Sequence, residues 1–392
     1  MSGRSIYLDY HATTPVDPRV LQAMLPYFTE VFGNPASASH AFGWKAQEAV
    51  EAARRQVAQL IGATAREIIF TSGATESNTF AIRGVTELPS TTRRRLVTSA
   101  IEHKSILEGF ARLATQGWDV VTVPVDRGGR LQLDALERAV NADTALVSVM
   151  AANNEIGAVQ PLAEIGRIAK AQGALFHVDG AQAAGKIAID VNAMGIDLLS
   201  LTGHKMYGPK GCGALFIRKR TELIPLITGG GQERGLRAGT LNVPGIVGLG
   251  CACEICRKEM TEENARLSRL RDRLLAGLTA TLDGVVVNGT LEHRLPHNLH
   301  VSFERVEGEK LLMSIGDIAV SSGSACQSAS GKPSHVLAAI YGDAPVPSAS
   351  FRFGIGRHTT DDEIEYARDS MMLMSSNRGF GRNGNCVTLG AG

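Results

Sequence analysis

The chain has 392 residues, of which 43 are glycine and 44% are hydrophobic, a composition typical of a globular protein with a large core. Its 40 basic and 39 acidic side chains nearly cancel, so it lacks the strong positive charge of a protein that coats nucleic acid. The first residues contain no apolar segment typical of a secretory signal, and no run of about 18 apolar residues predicts a membrane span.

The predicted elements begin with helices and then alternate between strands and helices. Residues 17–62 are predicted to form two helices, the second of which ends at Gly62. Short apolar runs then predict strands at Glu67–Phe70, Arg95–Thr98, Val120–Val123, Ala145–Val149, Ala174–Val178, Leu198–Leu201 and Gly213–Ile217. Intervening helices are predicted at Lys104–Thr115, Leu133–Val140 and Leu162–Ala171. This alternation predicts an α/β fold with a mostly parallel sheet sandwiched by helices.

A long helical region from Val243 leads into a second, smaller unit. Its predicted strands are Val285–Val287, Leu299–Phe303, Ile318–Ser321 and Phe351–Ile355, and its predicted helices lie near Glu309–Ile315, Ser334–Tyr341 and Asp361–Met374. This mixture predicts an α+β domain. We place the large domain at residues 16–255, the small domain at 1–15 and 256–375, and a flexible tail rich in Gly and Asn at 376–392.

The chain contains six cysteines: Cys212, Cys251, Cys253, Cys256, Cys326 and Cys386. In a long chain without a secretory signal they predict reduced thiols in the cytoplasm rather than a disulfide framework. The segment from Cys251 to Cys256 offers three thiols but no obvious fourth ligand. We therefore expect small helical residues there and predict no metal site.

Polar side chains follow the ends of several predicted strands. The segments concerned are Thr71–Asn78, Ile101–His103, Ala152–Glu155, Asp179–Gln182 and Thr202–Lys205. In an open α/β sheet, ligands bind outside the carboxyl ends of the strands, so we expect these side chains at one edge. Ser72–Thr75 opens a helix whose free N–H groups suit a phosphate, although taken alone it could be a plain helix cap.

A helix N-terminus, a carboxylate and a lysine at one edge favour pyridoxal phosphate as cofactor. Lys205 could bind it covalently, Asp179 could keep the ring nitrogen protonated, His103 could stack on the ring, and Gln182 could bond its phenolic oxygen. Each of these residues alone could be merely structural. A nicotinamide site is disfavoured because the first strand–turn–helix lacks G-x-G-x-x-G. The P-loop motif is absent from the sequence as well.

Several motifs together resemble the NifS/IscS-type cysteine desulfurases, which have the class V aminotransferase fold of pyridoxal-phosphate enzymes (fold type I). The motifs are Ile6–Tyr10, Ala12–Pro15, Thr71–Asn78, Ala100–Lys104, His177–Gln182, Gly203–Gly211 and Gln232–Thr240. The resemblance spans roughly residues 6–373 with spacing kept. Ser321–Ser330 resembles the family's catalytic loop of the longer type.

The resemblance implies a role for individual residues. Lys205 would be the Schiff-base lysine, and His103 would stack on the cofactor and assist proton transfer. Asp179 and Gln182 would hold the ring. The cofactor phosphate would be bound by Ala74, Thr75, Thr202 and His204, and by Thr240 from the second subunit of a homodimer. The substrate carboxylate would be bound by Asn154 and Arg352.

The resemblance also implies a reaction. Sulfur would be removed from L-cysteine to give L-alanine and a persulfide on Cys326, which the small domain carries. The persulfide would pass to an acceptor protein in iron–sulfur cluster assembly or a thiolation pathway in the cytoplasm, without direct nucleic-acid or membrane binding. His11 and Gly354 differ from the residues common in the family, so the resemblance does not assign the chain to one subfamily or to one sulfur acceptor.

Three alternatives stay open. A desulfurase dedicated to DNA phosphorothioation would fit the same motifs. A selenocysteine lyase or aminotransferase of the same fold would not need a thiol at position 326. A cofactor-binding scaffold without turnover would not need Lys205, Asp179 and Cys326 together.

Overall fold

A computed structural model describes residues 5–304, 316–322, 334–347 and 349–376, with the backbone alone described for 322 and 372–376. The predicted helix at Glu309–Ile315 and the predicted sulfur acceptor Cys326 lie outside the described residues. The predicted tail does too, apart from Ser376.

The described residues form strands and helices that are numbered in chain order. The strands are β1 (Ile6–Tyr7), β2 (Ile68–Thr71), β3 (Arg95–Ser99), β4 (Asp119–Val123), β5 (Thr144–Met150), β6 (Leu175–Asp179), β7 (Leu198–Thr202), β8 (Gly213–Ile217), β9 (Val285–Val287), β10 (Asn298–Phe303), β11 (Ile318–Ala319), β12 (Ser321–Ser322) and β13 (Ala349–Gly354). The α-helices are α1 (Pro18–Met24), α2 (Pro26–Thr29), α3 (Ala41–Leu60), α4 (Ala74–Thr86), α5 (Lys104–Ala114), α6 (Leu133–Ala139), α7 (Leu162–Ala171), α8 (Val243–Thr281), α9 (His335–Tyr341) and α10 (Asp361–Ser376).

The chain divides into two compact units. The larger consists of Thr13–Asn154 and Ala158–Thr261. The smaller consists of the described residues up to Ala12, Glu155–Gly157, and the described residues from Glu262 onward. In the described part of the chain, no helix has both the length and the apolar character that crossing a membrane requires.

The larger unit is built on one mixed sheet. Within the described residues its strand order is β2-β8-β7-β6-β5-β3-β4. Strand β8 runs antiparallel to both of its neighbours, and the remaining pairs are parallel. Every residue of β5 and β7 is buried, as expected for strands covered by helices on both faces. The predicted α/β fold with a mostly parallel sheet is confirmed.

Helices pack on this sheet through apolar stripes. In α5 the buried residues Ile106, Phe110 and Leu113 recur at helical spacing, so one face is apolar. That face joins a core cluster with Phe80 of α4 and Leu96 of β3. The N-terminal helical region differs from the prediction of two helices, because Pro26 starts a short separate helix between α1 and α3.

The smaller unit contains an antiparallel sheet of order β12-β13-β10-β9 in the described residues, and a parallel pair of β1 with β11. The C-terminal part of α8 covers its core with a stripe of leucines at helical spacing: Leu267, Leu270, Leu274 and Leu278. The predicted strand Ile318–Ser321 is in fact two strands, because β11 pairs with β1 whereas β12 pairs with β13.

A buried ion pair holds the edge of the larger sheet. Strand β2 is its first strand, so one side of the β2 backbone faces no other described strand. Both carboxylate oxygens of Glu233 accept bonds from Arg54, at 2.7 and 2.8 Å, and one of them also accepts from the Phe70 N–H at 2.6 Å. Arg54 donates in turn to the Ile68 carbonyl at 2.8 Å. The pair therefore replaces the missing strand neighbour of β2.

Glu233 reaches this position at a conformational cost. It has φ 46° and the next residue, Arg234, has φ 59°, and both values lie in the left-handed region that side chains disfavour by about 1–2 kcal/mol each. Arg234 also donates to the Ile68 carbonyl, at 2.8 Å. The two strained residues thus make one polar contact each to the edge of β2, and Glu233 also pairs with Arg54, which offsets their strain.

We expect Glu233→Gln to destabilise the protein by about 3 kcal/mol, because the buried Arg54 cation keeps only the half-exposed Glu51 carboxylate, to which its Nε donates at 3.0 Å. Urea unfolding measures this change. The control is Glu137→Gln, which breaks the exposed Arg167–Glu137 pair and should cost under about 0.5 kcal/mol. Equal losses in both variants would contradict the role assigned to burial.

Candidate active site

The carboxyl ends of three strands lie at one edge of the larger sheet. Thr71 of β2 and Thr202 of β7 both lie opposite Gly213 of β8. Asp179 ends β6, the neighbour of β7. The register therefore brings together at one edge strand ends that were singled out from the sequence.

The phosphate turn, Ser72–Thr75, links β2 to α4 and has a backbone that only glycine tolerates. Gly73 has φ +155° and ψ −179°, and it makes no side-chain cap to the helix. A Cβ atom added to Gly213 would lie 2.6 Å from the Gly73 Cα, so the two chains approach as closely as glycines permit. The first N–H groups of α4 have no partner within the helix and, with the helix dipole, suit an anion.

Thr202 lies beside this turn, and His204 follows Thr202 by two residues. The Thr202 hydroxyl would lie 3.7 Å from a Cβ atom placed on Gly73. Nδ1 of His204 lies 3.2 Å from the Thr13 hydroxyl, and burial lowers the pKa of His204 to about 4. The imidazole is therefore neutral at pH 7. Lys205 is partly buried and ends the short 3-10 turn Gly203–Lys205 that follows β7.

Asp179 is a buried carboxylate held by neutral donors. It is 4% exposed. One oxygen accepts from Nδ2 of Asn78 at 2.8 Å and the other from the Ala181 N–H at 2.9 Å. Among the described residues these donors carry no charge. Because a buried anion is stabilised by a cation, the geometry suits a positively charged group of a ligand.

A hydrogen-bonded chain connects Asp179 to His103. Nδ2 of Asn78 also donates to the Ser105 hydroxyl at 2.9 Å, and that hydroxyl lies 2.9 Å from Nδ1 of His103. His103 caps α5, where Nδ1 also accepts from the Ser105 N–H at 3.2 Å. Contacts at Nδ1 thus orient the ring of this exposed histidine, and they belong to the same hydrogen-bond network that holds Asp179.

Asn78 and Ser105 had no role predicted from the sequence. The available signal for Asn78 was its position on the buried face of α4, where a fully buried amide must find polar partners. Its Oδ1 is buried with no hydrogen-bond partner among the described residues. Ser105, two residues after His103, follows the spacing of a cap that bonds back to its neighbour.

Glu102 is a second carboxyl group for which the sequence predicted no role. It is fully buried, and one oxygen accepts from the Ser99 hydroxyl at 2.5 Å and from the Met150 N–H at 2.8 Å. Burial raises the pKa of Glu102 to about 8, so this side chain is neutral at pH 7.

Three further predicted site residues lie in different places. Gln182 is 8% exposed and follows Asp179 by three residues, and Thr240 is exposed at the end of a polar segment. Asn154 is partly buried.

Arg352 lies on β13 of the smaller unit. Its Nη2 donates to Asp9 at 2.7 Å and to the Ser321 hydroxyl at 2.8 Å. The side chain is 11% exposed, so its guanidinium group does not lie in open solvent.

The cysteine cluster belongs to α8. Cys253 and Cys256 are buried there, and burial raises the pKa of Cys253 well above its usual value. In the described ranges, no group of three or more His, Cys, Asp or Glu side chains could hold a metal ion.

The described residues of the larger unit fit pyridoxal phosphate. The phosphate turn offers backbone donors beside the Thr202 hydroxyl, the Asp179 carboxylate suits a protonated pyridine nitrogen, and Lys205, in the turn that follows β7, would supply the amine. Asn78 and Ser105 would orient the carboxylate and the His103 ring.

Comparisons with known proteins agree with this fit. A model of the aminotransferase class-V family matches residues 6–367. The cysteine desulfurase IscS of Anaeromyxobacter sp. (strain K) is 56% identical over 364 residues, which cover 92% of this chain and 90% of that protein. The cysteine desulfurase of Homo sapiens is 52% identical over 365 residues, which cover 93% of this chain and 80% of that protein. A solved NifS-like protein superposes with a TM-score of 0.88 at 40% identity, covering 95% of this chain and all of that one.

We expect Glu102→Gln to change how stability depends on pH. In the wild type the neutral Glu102 contributes stability that is complete below its unfolded pKa and is lost as pH rises through about 8. Glutamine does not titrate. Between pH 6 and pH 8 the free energy of unfolding of the variant should therefore rise by up to about 2 kcal/mol relative to that of the wild type.

Urea unfolding at the two pH values measures this difference. Exposed Glu108→Gln on α5 is the matched control and should follow the wild type at both pH values. A constant difference between Glu102→Gln and the wild type would contradict the raised pKa.

Proposed function

The chain belongs to the aminotransferase class-V family and is a cysteine desulfurase that depends on pyridoxal phosphate, and we propose that it stores the sulfur as a persulfide on Cys326 for transfer to an acceptor protein. The observation that carries the site assignment is the buried Asp179 carboxylate, which is held by neutral donors on the strand next to the one that leads to Lys205.

The proposed roles divide between binding and proton transfer. Pyridoxal phosphate, when bound, supplies an electron-withdrawing ring that makes the α-carbon proton of L-cysteine acidic. Lys205 would bind the cofactor, and Asp179 would keep its ring nitrogen protonated. His103 would stack on the ring and assist proton transfer, with its orientation set by Ser105. Gln182 would bond the phenolic oxygen.

The sulfur step would use Cys326 as nucleophile. Its thiolate attacks the sulfur of L-cysteine, an S–S bond forms, and the carbon–sulfur bond of the substrate breaks. The electron pair of that bond stays on the three-carbon skeleton, which takes up a proton and leaves as L-alanine. A cysteine thiol has an ordinary pKa of about 8.5, so the reaction needs a base or a nearby cation to form the thiolate.

The partners are proposed from the same family membership. The 56% identical relative carries the name IscS, which supports iron–sulfur cluster assembly or a thiolation pathway as the destination of the sulfur. The resemblance leaves DNA phosphorothioation as the alternative. We also propose a homodimer in which Thr240 binds the cofactor phosphate of the second subunit, and a cytoplasmic location.

We expect Cys326→Ser to abolish persulfide formation and to slow alanine release by at least 100-fold, because serine is a far poorer nucleophile towards sulfur. The variant should still bind L-cysteine and show the accompanying change in absorbance. Alanine release and persulfide labelling are the measurements. Borohydride reduction followed by peptide mapping should find the cofactor on Lys205 in both proteins.

Cys251→Ser, in α8, is the control and should keep the wild-type rate. If Cys326→Ser released alanine at the wild-type rate, the persulfide mechanism would be wrong and a lyase would be favoured. Labelling of a lysine other than Lys205 would overturn the assignment of the cofactor site.

We expect Arg352→Lys to raise the KM for L-cysteine about tenfold or more while cofactor absorbance stays normal. The planar guanidinium binds a carboxylate through two parallel hydrogen bonds, which a lysine ammonium cannot do. The matched control is Arg357→Lys, since Arg357 is also 11% exposed and also pairs with a carboxylate, that of Glu263. A similar KM change in both variants would assign the effect to lost stability rather than to substrate binding.

A further inference from the structure

Arg237 connects the phosphate turn to a distant segment of the larger unit. Its Nε donates to one oxygen of Glu76 at 3.0 Å and its Nη2 to the other at 3.3 Å. The side chains are 21% and 12% exposed, so water screens the pair only in part. The mechanism described above uses neither residue.

Glu76 is part of the wall of the phosphate turn. It is the third residue of α4, and one of its oxygens accepts from the Ser72 N–H at 2.9 Å. This bond fixes the start of the turn and uses the Ser72 N–H. The N–H groups of Ala74 and Thr75 have no partner within the helix.

A carboxylate at this position also has a cost for phosphate binding. Burial opposes its ionisation, but the bonds from Arg237 and Ser72 outweigh it and lower the pKa of Glu76, so the group is charged at pH 7. A negative charge in the first turn of a helix competes with a bound anion for the same positive end. Without a counter-charge, Glu76 would repel the phosphate.

The residues before and after Arg237 in the chain are both anchored, and this keeps Arg237 beside Glu76. Before it, Glu233 is anchored in the buried pair with Arg54 on the edge of β2. After it, the Gly239 N–H donates to the side chain of Gln232 at 3.1 Å, which closes the segment on itself. The guanidinium therefore does not depend on Glu76 alone for its position.

We propose that Glu76 and Arg237 form a charge-balanced positioning pair for the cofactor phosphate. Glu76 fixes the Ser72 backbone, and Arg237 cancels the repulsion that the Glu76 carboxylate would exert on the phosphate. Arg237 acts through Glu76 and is a positioning residue. This inference rests on the proposed function, because it takes the phosphate of pyridoxal phosphate as the occupant of the turn.

The test compares Arg237→Gln with the double variant Glu76→Gln/Arg237→Gln. Release of pyridoxal phosphate from the holoenzyme is followed by its absorbance after dilution. Arg237→Gln should release it on the order of tenfold faster, because a charged carboxylate is left unbalanced beside the phosphate. The double variant removes that carboxylate but keeps an amide oxygen for the Ser72 N–H, so its release rate should return to within about twofold of the wild type.

Arg83→Gln is the matched control and should leave the rate unchanged, since the exposed Arg83 near the end of the same helix pairs with the exposed Glu87 just beyond it. Arg237→Lys keeps the charge and should release the cofactor more slowly than Arg237→Gln. If Arg237→Gln does not fold, Arg237→Ala takes its place, because it also removes the charge and should release the cofactor faster than both Arg237→Lys and the double variant.

Two results would overturn the proposal. One is wild-type release from Arg237→Gln, and the other is release from the double variant as fast as from Arg237→Gln alone. A wild-type protein without cofactor on Lys205 would instead refute the proposed function, so the two failures can be told apart.

Discussion

The charge of the Asp179 carboxylate, buried at the end of β6, is the constraint on which the site depends. Burial raises the pKa of Glu102 to about 8 and lowers the pKa of His177 to about 3, so both of these buried side chains are neutral at pH 7. His177 lies two residues before Asp179 and bonds to Ser148 and Ser200 on the neighbouring strands, at 2.8 and 3.0 Å. Among the described residues at this end of the sheet, the Asp179 carboxylate is thus available to a ligand, whereas the neutral His177 is paired with serines of the neighbouring strands.

Much of the larger unit follows from the sequence because its strands are continuous apolar runs and its helices have regular apolar faces. The same reasoning placed Asp179, Thr202 and Lys205 correctly at strand ends, since the ends of parallel strands meet at one edge. Their roles came from the family resemblance and from the combination of residue types. The position of Cys326 in the fold lies outside the described residues, so its assignment stays a prediction.

The contacts that sequence reasoning missed join residues far apart in the chain. Asn78 and Ser105 are 27 positions apart, and Glu76 and Arg237 are 161 apart, so no local pattern links them. The division of the predicted strand Ile318–Ser321 was missed for a similar reason, because its two halves pair with β1 and β13 from opposite ends of the sequence. Local periodicity identifies an element, whereas the partner of a polar side chain depends on the tertiary fold.

The contacts of Glu233 and Arg234 with the backbone of β2 have a consequence for the solubility of the protein. All four residues of this strand, Ile68–Thr71, are buried, and an uncovered apolar edge is a template on which a strand of another chain can add. Glu233 and Arg234 occupy its backbone groups with charged side chains that no incoming strand can displace without burying an unpaired charge. The segment that contains Glu233, Arg234 and Arg237 therefore also protects the chain from intermolecular β-pairing and aggregation.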